Sequence, residues 1–215
     1  MIATLVLCEG RSDLNFIKGI LRKRGIDDIK FILGPERIEK HIRSNFYNMI
    51  VYSIGGKGSL HKYARNMISV LRSMNGSIDI IYVKDMVHGN RIVENLETAI
   101  MEFITLGDKF SQDKPRIDVN GNIISVSFKN LRIKYHVFGV PVSLEDEVWK
   151  RVLKREPNFR DLNRRYDDVH DKLCEYCRMK DIEIDEFFQE APDMFSSDDG
   201  WFRKLRNGLN EIRCK

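Results

Sequence analysis

At 215 residues, with 42% apolar and 32% charged side chains, the chain is long enough for a large globular domain and too apolar for disorder. No apolar run approaches the roughly 20 residues of a membrane-spanning helix, so a membrane role is not expected. The net charge of +4 hides an asymmetry: residues 143–215 hold 15 Lys/Arg against 18 Asp/Glu, which leaves 21 against 14 for residues 1–142. A basic first part suits a polyanionic partner.

The opening MIATLVLC lacks a basic leader and runs straight into Glu9, Gly10 and Arg11. It reads as a buried first strand, TLVLC, and not as a signal peptide; the expected compartment is the cytoplasm. Ser12 or Asp13 can cap the following helix, whose stripe is Phe16, Ile17, Ile20 and Leu21, ending near Gly25. A short strand is expected at Ile29 to Leu33, then a helix opened by Pro35 and carrying Ile38 and Ile42. MIVYSI is the next strand. It enters a Gly55-Gly56-Lys57-Gly58 turn and a helix with Leu60, Tyr63, Ala64, Met67, Ile68 and Leu71 at helical spacing. IDIIYVK is another buried strand, followed by Asp85 and a helix marked by Val93, Leu96, Ile100 and Phe103. Such alternation predicts a mainly parallel sheet flanked by helices.

Beyond it, Asn120-Gly121 marks a hairpin, and Ile133, Tyr135 and Val137 alternate with Arg132, Lys134 and His136 as in a strand with one wet face. From Ser143 onward the reading is helical. One helix is expected across Leu162, Tyr166, Val169, Leu173 and Cys177, and another across Trp201, Phe202, Leu205, Leu209 and Ile212. The expected organisation is therefore an α/β domain over 1–142 and an acidic helical extension, 143–215, packed on it. Trp149 and Trp201 fall on apolar stripes and read as core. Cys174 and Cys177 form a lone C-x-x-C without the second ligand pair that zinc requires.

Acidic residues follow predicted strands repeatedly: Glu9 after TLVLC, Asp85 after IDIIYVK, and Glu145 with Asp146 after YHVFGVPVS. Parallel strands joined by right-handed crossovers bring such positions to one sheet edge. Clustered carboxylates need a cation, and hard oxygen ligands favour Mg²⁺ or Mn²⁺, which can orient a phosphate. Plainer roles stand beside these: Asp13 as a helix-cap residue, and Glu145 and Asp146 as first-turn acids. The glycine-rich turn lacks P-loop spacing; Lys57 can pair a phosphate there, or the turn can simply be tight. His88 can act as acid, base or ligand, and Lys84 can balance the acidic site or snorkel from a strand end.

LVLCEGRSD resembles the first motif of the Toprim domain, a strand ending in Glu-Gly with an Asp four residues after the Glu. IDIIYVKDMVHGN is similar to the second motif, Asp-x-Asp with a glycine beyond, and IVYSIGGKGS to the strand and glycine-rich turn between them. FGVPVSLEDEVW resembles the later acidic segment of small archaeal Toprim proteins and of overcoming-lysogenization-defect nucleases. The resemblance covers about residues 1 to 150 and implies Mg²⁺ or Mn²⁺ held by Glu9 and Asp85, with Asp13 and Glu145 as second-metal ligands. It implies phosphodiester chemistry on nucleic acid, most directly a nuclease, with Glu9 and Asp85 catalytic and Gly10, Lys57, Lys84 and His88 near the phosphate. In one respect the sequence departs from the pattern: Val87 stands where the second Asp belongs, and an isopropyl group binds no cation. The alternative is a catalytically reduced Toprim protein that binds nucleic acid or a partner.

Overall fold

The computed structural model describes residues 4–26, 28–34, 38–44, 47–55, 60–86, 91–107, 114–196 and 198–211, with residues 39, 43 and 44 as backbone. Strand β1 (Thr4–Cys8) is followed by α1 (Arg11–Arg22), β2 (Ile29–Leu33), α2 (Ile38–Ser44), β3 (Met49–Ser53), α3 (Leu60–Leu71), β4 (Gly76–Asp85) and α4 (Ile92–Thr105). Then come β5 (Arg116–Asn120), β6 (Ile123–Ser127), β7 (Leu131–Val140) and α5 (Leu144–Arg155). The C-terminal helices are α6 (Leu162–Arg165), α7 (Val169–Lys180), α8 (Ile184–Glu190) and α9 (Gly200–Glu211), with 3₁₀ turns at Pro157–Asp161 and Ala191–Met194.

The strands form one seven-stranded sheet in the order β2-β3-β1-β4-β7-β6-β5. The first five of these neighbours pair parallel; β6 and β5 add antiparallel strands at one edge. The predicted α/β class, with its mainly parallel sheet and C-terminal helices, is the observed one. The predicted hairpin is the β5–β6 turn, where Gly121 adopts φ 60°, a conformation glycine reaches without penalty.

Every residue of β1 and β3 is buried, which explains their unbroken apolar runs. Side chains alternate between two cores. Leu5, Leu7, Ile80, Tyr82, Ile133 and Tyr135 face α3 and α4. Val6, Cys8, Ile81, Val83, Phe138 and Val140 face α1 and the C-terminal helices. The second core is continuous from α1 into α9: the Phe16 ring lies 5.6 Å from Phe195 and 5.9 Å from Phe202. Buried area of this kind stabilises at about 25 cal/mol per Å², so the C-terminal helices are a layer of the fold rather than an ornament.

Several local expectations change. Helix α1 starts at Arg11 with Gly10 as its N-cap, two residues before the earliest predicted cap. The single helix expected across Leu162 to Cys177 is two, because Asp168 caps α7 by accepting the His170 N–H at 2.7 Å. The wet face of β7 holds only for its first half: Arg132 is exposed and Lys134 and His136 half-buried, but Phe138 and Val140 are covered by helices. Trp149 is core, whereas Trp201 packs on the core half-buried. Among the described residues no helix is long and apolar enough to cross a membrane.

Candidate acidic active site

Glu9 directly follows β1 and is 4% exposed. A buried carboxylate must be paired. Lys84 Nζ donates to its Oε1 at 2.6 Å, and the Asp85 N–H faces its Oε2 at 3.4 Å. One turn on, Asp13 occupies the third position of α1, where its Oδ2 accepts the Gly10 N–H at 2.8 Å. It thus closes the helix start, as a carboxylate at that position does in a capping box. The cap role and the predicted place among the acidic residues coincide in one side chain.

Asp85 is the last residue of β4, hydrogen-bonded laterally to β1 and β7. Its Oδ1 accepts the Leu144 N–H at 3.1 Å, so it sits on the N-terminus of α5, where the helix dipole favours negative charge. The turn that delivers α5 is strained: Val142 has φ 59°, which a β-branched residue seldom adopts. Ser143 caps α5 by accepting the Asp146 N–H at 3.1 Å and donating to Asp146 Oδ2 at 2.6 Å. Asp146 is therefore spent on its own cap. Glu145 turns the other way: its Oε1 accepts from Ser12 Oγ at 3.0 Å and lies 3.8 Å from His170 Nδ1.

Glu9, Gly10, Asp13, Asp85 and Glu145 line one cleft of about 470 Å³, together with Arg11, Ser12, Leu33, Gly34, Gly55 and His170. It lies at the carboxyl ends of β2, β3, β1 and β4. There the chain leaves β1 toward one face of the sheet and β3 and β4 toward the other, the place where open α/β sheets bind ligands. Electrostatics match the geometry. Burial first, then the charges of Asp85, Glu145 and Glu9, push the Asp13 carboxyl up to about 8, against the opposing pull of the Gly10 N–H.

These side chains suit a hard divalent cation in kind: all are carboxyl groups, and Asp13 carries a cost of burial first and of repulsion second that a cation would offset. Their present rotamers are closed by internal donors. Among the described residues no three His, Cys, Asp or Glu side chains stand grouped to hold a metal as they are placed. Binding would therefore require Glu9 to give up Lys84 for the ion, with Asp85 still held by the Leu144 N–H.

Of the other predicted residues, Gly10 lines the cleft and Lys84 neutralises Glu9. Lys57, Val87 and His88 lie outside the described residues. The sequence reading missed Arg11, Ser12 and His170. Arg11 and Ser12 stood beside the Glu9-Gly10 pair and could have been included; His170 comes from the distant α7 and carried no local signal. Cys174 and Cys177 are free thiols, both held above the ordinary thiol range chiefly by burial, Cys177 at about 12. On the opposite face, Tyr82 Oη pairs with His61 Nδ1 at 2.7 Å. Comparison with known proteins supplies no relative: the chain matches no family model, no curated protein and no solved structure.

Proposed function

We propose that the chain performs Toprim-like, metal-dependent phosphodiester chemistry on nucleic acid, most directly as a nuclease. The observation that carries this reading is the convergence of Glu9, Asp13, Asp85 and Glu145 on one cleft at the carboxyl edge of a parallel sheet. Mg²⁺ or Mn²⁺, when bound, supplies Lewis acidity and charge neutralisation at a phosphate oxygen. Glu9 and Asp85 would hold it, with Asp13 and Glu145 completing the donor set. The chain's own groups prepare that site. Gly10 fixes the Asp13 carboxylate, Ser12 and His170 fix Glu145, and the strained turn before α5 fixes Leu144 against Asp85. Lys84 balances Glu9, and with a metal held by Glu9 it would be a cation available to phosphate.

The test is cleavage of single- and double-stranded DNA and RNA with Mg²⁺ or Mn²⁺ by the wild type, Glu9→Gln and Asp85→Asn. Loss of 100-fold or more in each variant is expected for groups acting on the metal, by analogy with the loss of single electrostatic groups elsewhere. Equal activity in all three proteins would sink the assignment. The Lys84–Glu9 ion pair favours a second reading, a catalytically reduced protein that binds nucleic acid, because it already neutralises the central carboxylate. A wild type that is inert yet binds nucleic acid with steep salt dependence selects that reading.

A further inference from the structure

Helix α1 begins in the acidic cleft and descends beside the sheet's edge strand, β2. Arg11, Lys18 and Arg22 are spaced i, i+7 and i+11, which puts them within about 40° of one helix face. Arg11 lines the cleft with a side chain 64% exposed. Lys18 is half-buried, its ammonium 5.7 Å from the centre of the Phe31 ring on β2, and Arg22 is exposed. Below this rail, Phe31 and Leu33 point to the same side of β2. Phe31 is partly buried against the α1 core, and Leu33, 42% exposed, reaches the cleft wall.

From Arg11 to Arg22 the rail is about 16 Å long at 1.5 Å per helical residue, and Ile29 to Leu33 of β2 spans about 13 Å at 3.3 Å per residue. The two lengths are comparable, and the Lys18–Phe31 contact joins rail and floor near their middle. The polar side chains that α8 sets against this face do not cancel its charge. Asp185 accepts from Arg11 and from Asn15 Nδ2, and the neutral Gln189 accepts from Arg22. Three cations thus meet one carboxylate. A guanidinium has five N–H donors, so Asp185 braces Arg11 without exhausting it. A pure α1–α8 clasp would balance charge across the contact; this one leaves a positive surplus that leads out of the cleft.

We propose that this groove is a track for a single nucleic-acid strand leaving the acidic cleft. Arg11, Lys18 and Arg22 bind phosphates about three and then about two nucleotides apart along the strand, and the bases lie over Leu33 and Phe31. A cationic rail beside an apolar, partly aromatic floor is how single strands are held without sequence preference. At about 3.4 Å per phosphate of a stacked strand, the rail spans about five nucleotides. The track rests on the nucleic-acid partner proposed above, and it serves the nuclease and the binding-only readings alike.

The test measures binding of fluorescent oligothymidylates to the full chain in metal-free buffer across a salt series. Removing one phosphate contact to a single strand makes the slope of log K against log salt shallower by about 0.7, so Arg11→Ala, Lys18→Ala and Arg22→Ala should each do this and the triple variant should lose about 2. Arg11→Lys/Arg22→Lys should keep the wild-type slope. Lys154→Ala, an exposed site on α5, should keep it too. Circular dichroism melts confirm that each variant is folded. A wild type that binds no oligonucleotide overturns both the partner and the track. A wild type that binds while the triple variant retains its slope, or while Lys154→Ala loses as much, overturns the track alone.

Discussion

Asp13 shows how one residue can be placed by the helix and strained by the site. Its carboxylate closes the start of α1 through the Gly10 N–H, yet burial and the charges of Asp85, Glu145 and Glu9 raise it to about 8. Between the ordinary aspartate value near 4 and about 8, the folded state therefore binds more protons at this site than the unfolded chain. Stability contributed by the protonated form is complete at low pH and lost as pH rises through that window. Thermal unfolding followed from pH 5 to pH 8 should show a decline in the wild type that Asp13→Asn largely removes, because the amide keeps an acceptor for Gly10 but carries no charge. At pH 8 the variant should be the more stable protein. Millimolar Mg²⁺ should stabilise the wild type at pH 8 more than the variant, since a cation relieves the same repulsion. Parallel pH profiles for the two proteins would show that Asp13 does not carry this strain. The residues that created it were largely legible: Glu9, Asp85 and Glu145 each follow a strand, and strand ends in a parallel sheet share an edge. The exact start of α1 was not, since a glycine N-cap offers no side chain to read.

At the scale of elements, the contact that decides the position of the C-terminal layer is α1 against α8. Gly19 lies mid-helix in α1, and a Cβ there would overlap the backbone carbonyl of Gln189. Two effects oppose each other in Gly19→Ala. Helix propensity favours alanine by about 1 kcal/mol. Overpacking against a backbone carbonyl, which cannot rotate away as a side chain can, costs about 1–3 kcal/mol. The net expectation is a loss of about 1 kcal/mol in chemical denaturation, with α8 displaced and the Arg11–Asp185 brace weakened. A gain in stability would mean that the two helices do not pack this closely. Elements were legible where period and punctuation agreed, as in β1, β3, α3 and β4. The break between α6 and α7 was hidden because Leu162, Tyr166, Val169, Leu173 and Cys177 keep helical spacing across it; only the Asp168 cap reveals the interruption. Close approach of the kind seen at Gly19 has no sequence period, and so neither the packing of α8 nor the arrival of His170 at the cleft could be read in advance.

For the whole molecule, the question is whether the helices after Ser143 behave as a unit of their own. Their apolar faces do not form a separate core. Phe16 and Ile17 of α1, Val83 of β4 and Val140 of β7 belong to the same buried cluster as Trp149, Phe187, Phe202 and Leu209. The cleft crosses the same boundary, since Glu145 and His170 line it beside Glu9 and Asp85, and Asp185 braces Arg11. Removing the C-terminal layer would expose one face of the sheet and take away two cleft residues at once. Unfolding should therefore be cooperative across the boundary. The chain's two tryptophans, Trp149 and Trp201, both lie in α5 and α9 and so report on this layer. Amide exchange in β1 and β3, buried throughout, reports on the sheet. Under increasing denaturant the tryptophan fluorescence transition should coincide with loss of protection in those strands, with one midpoint for both. Fluorescence that changes well before the strand amides open would instead mark the helical layer as an independent unit, docked on a sheet that stands without it.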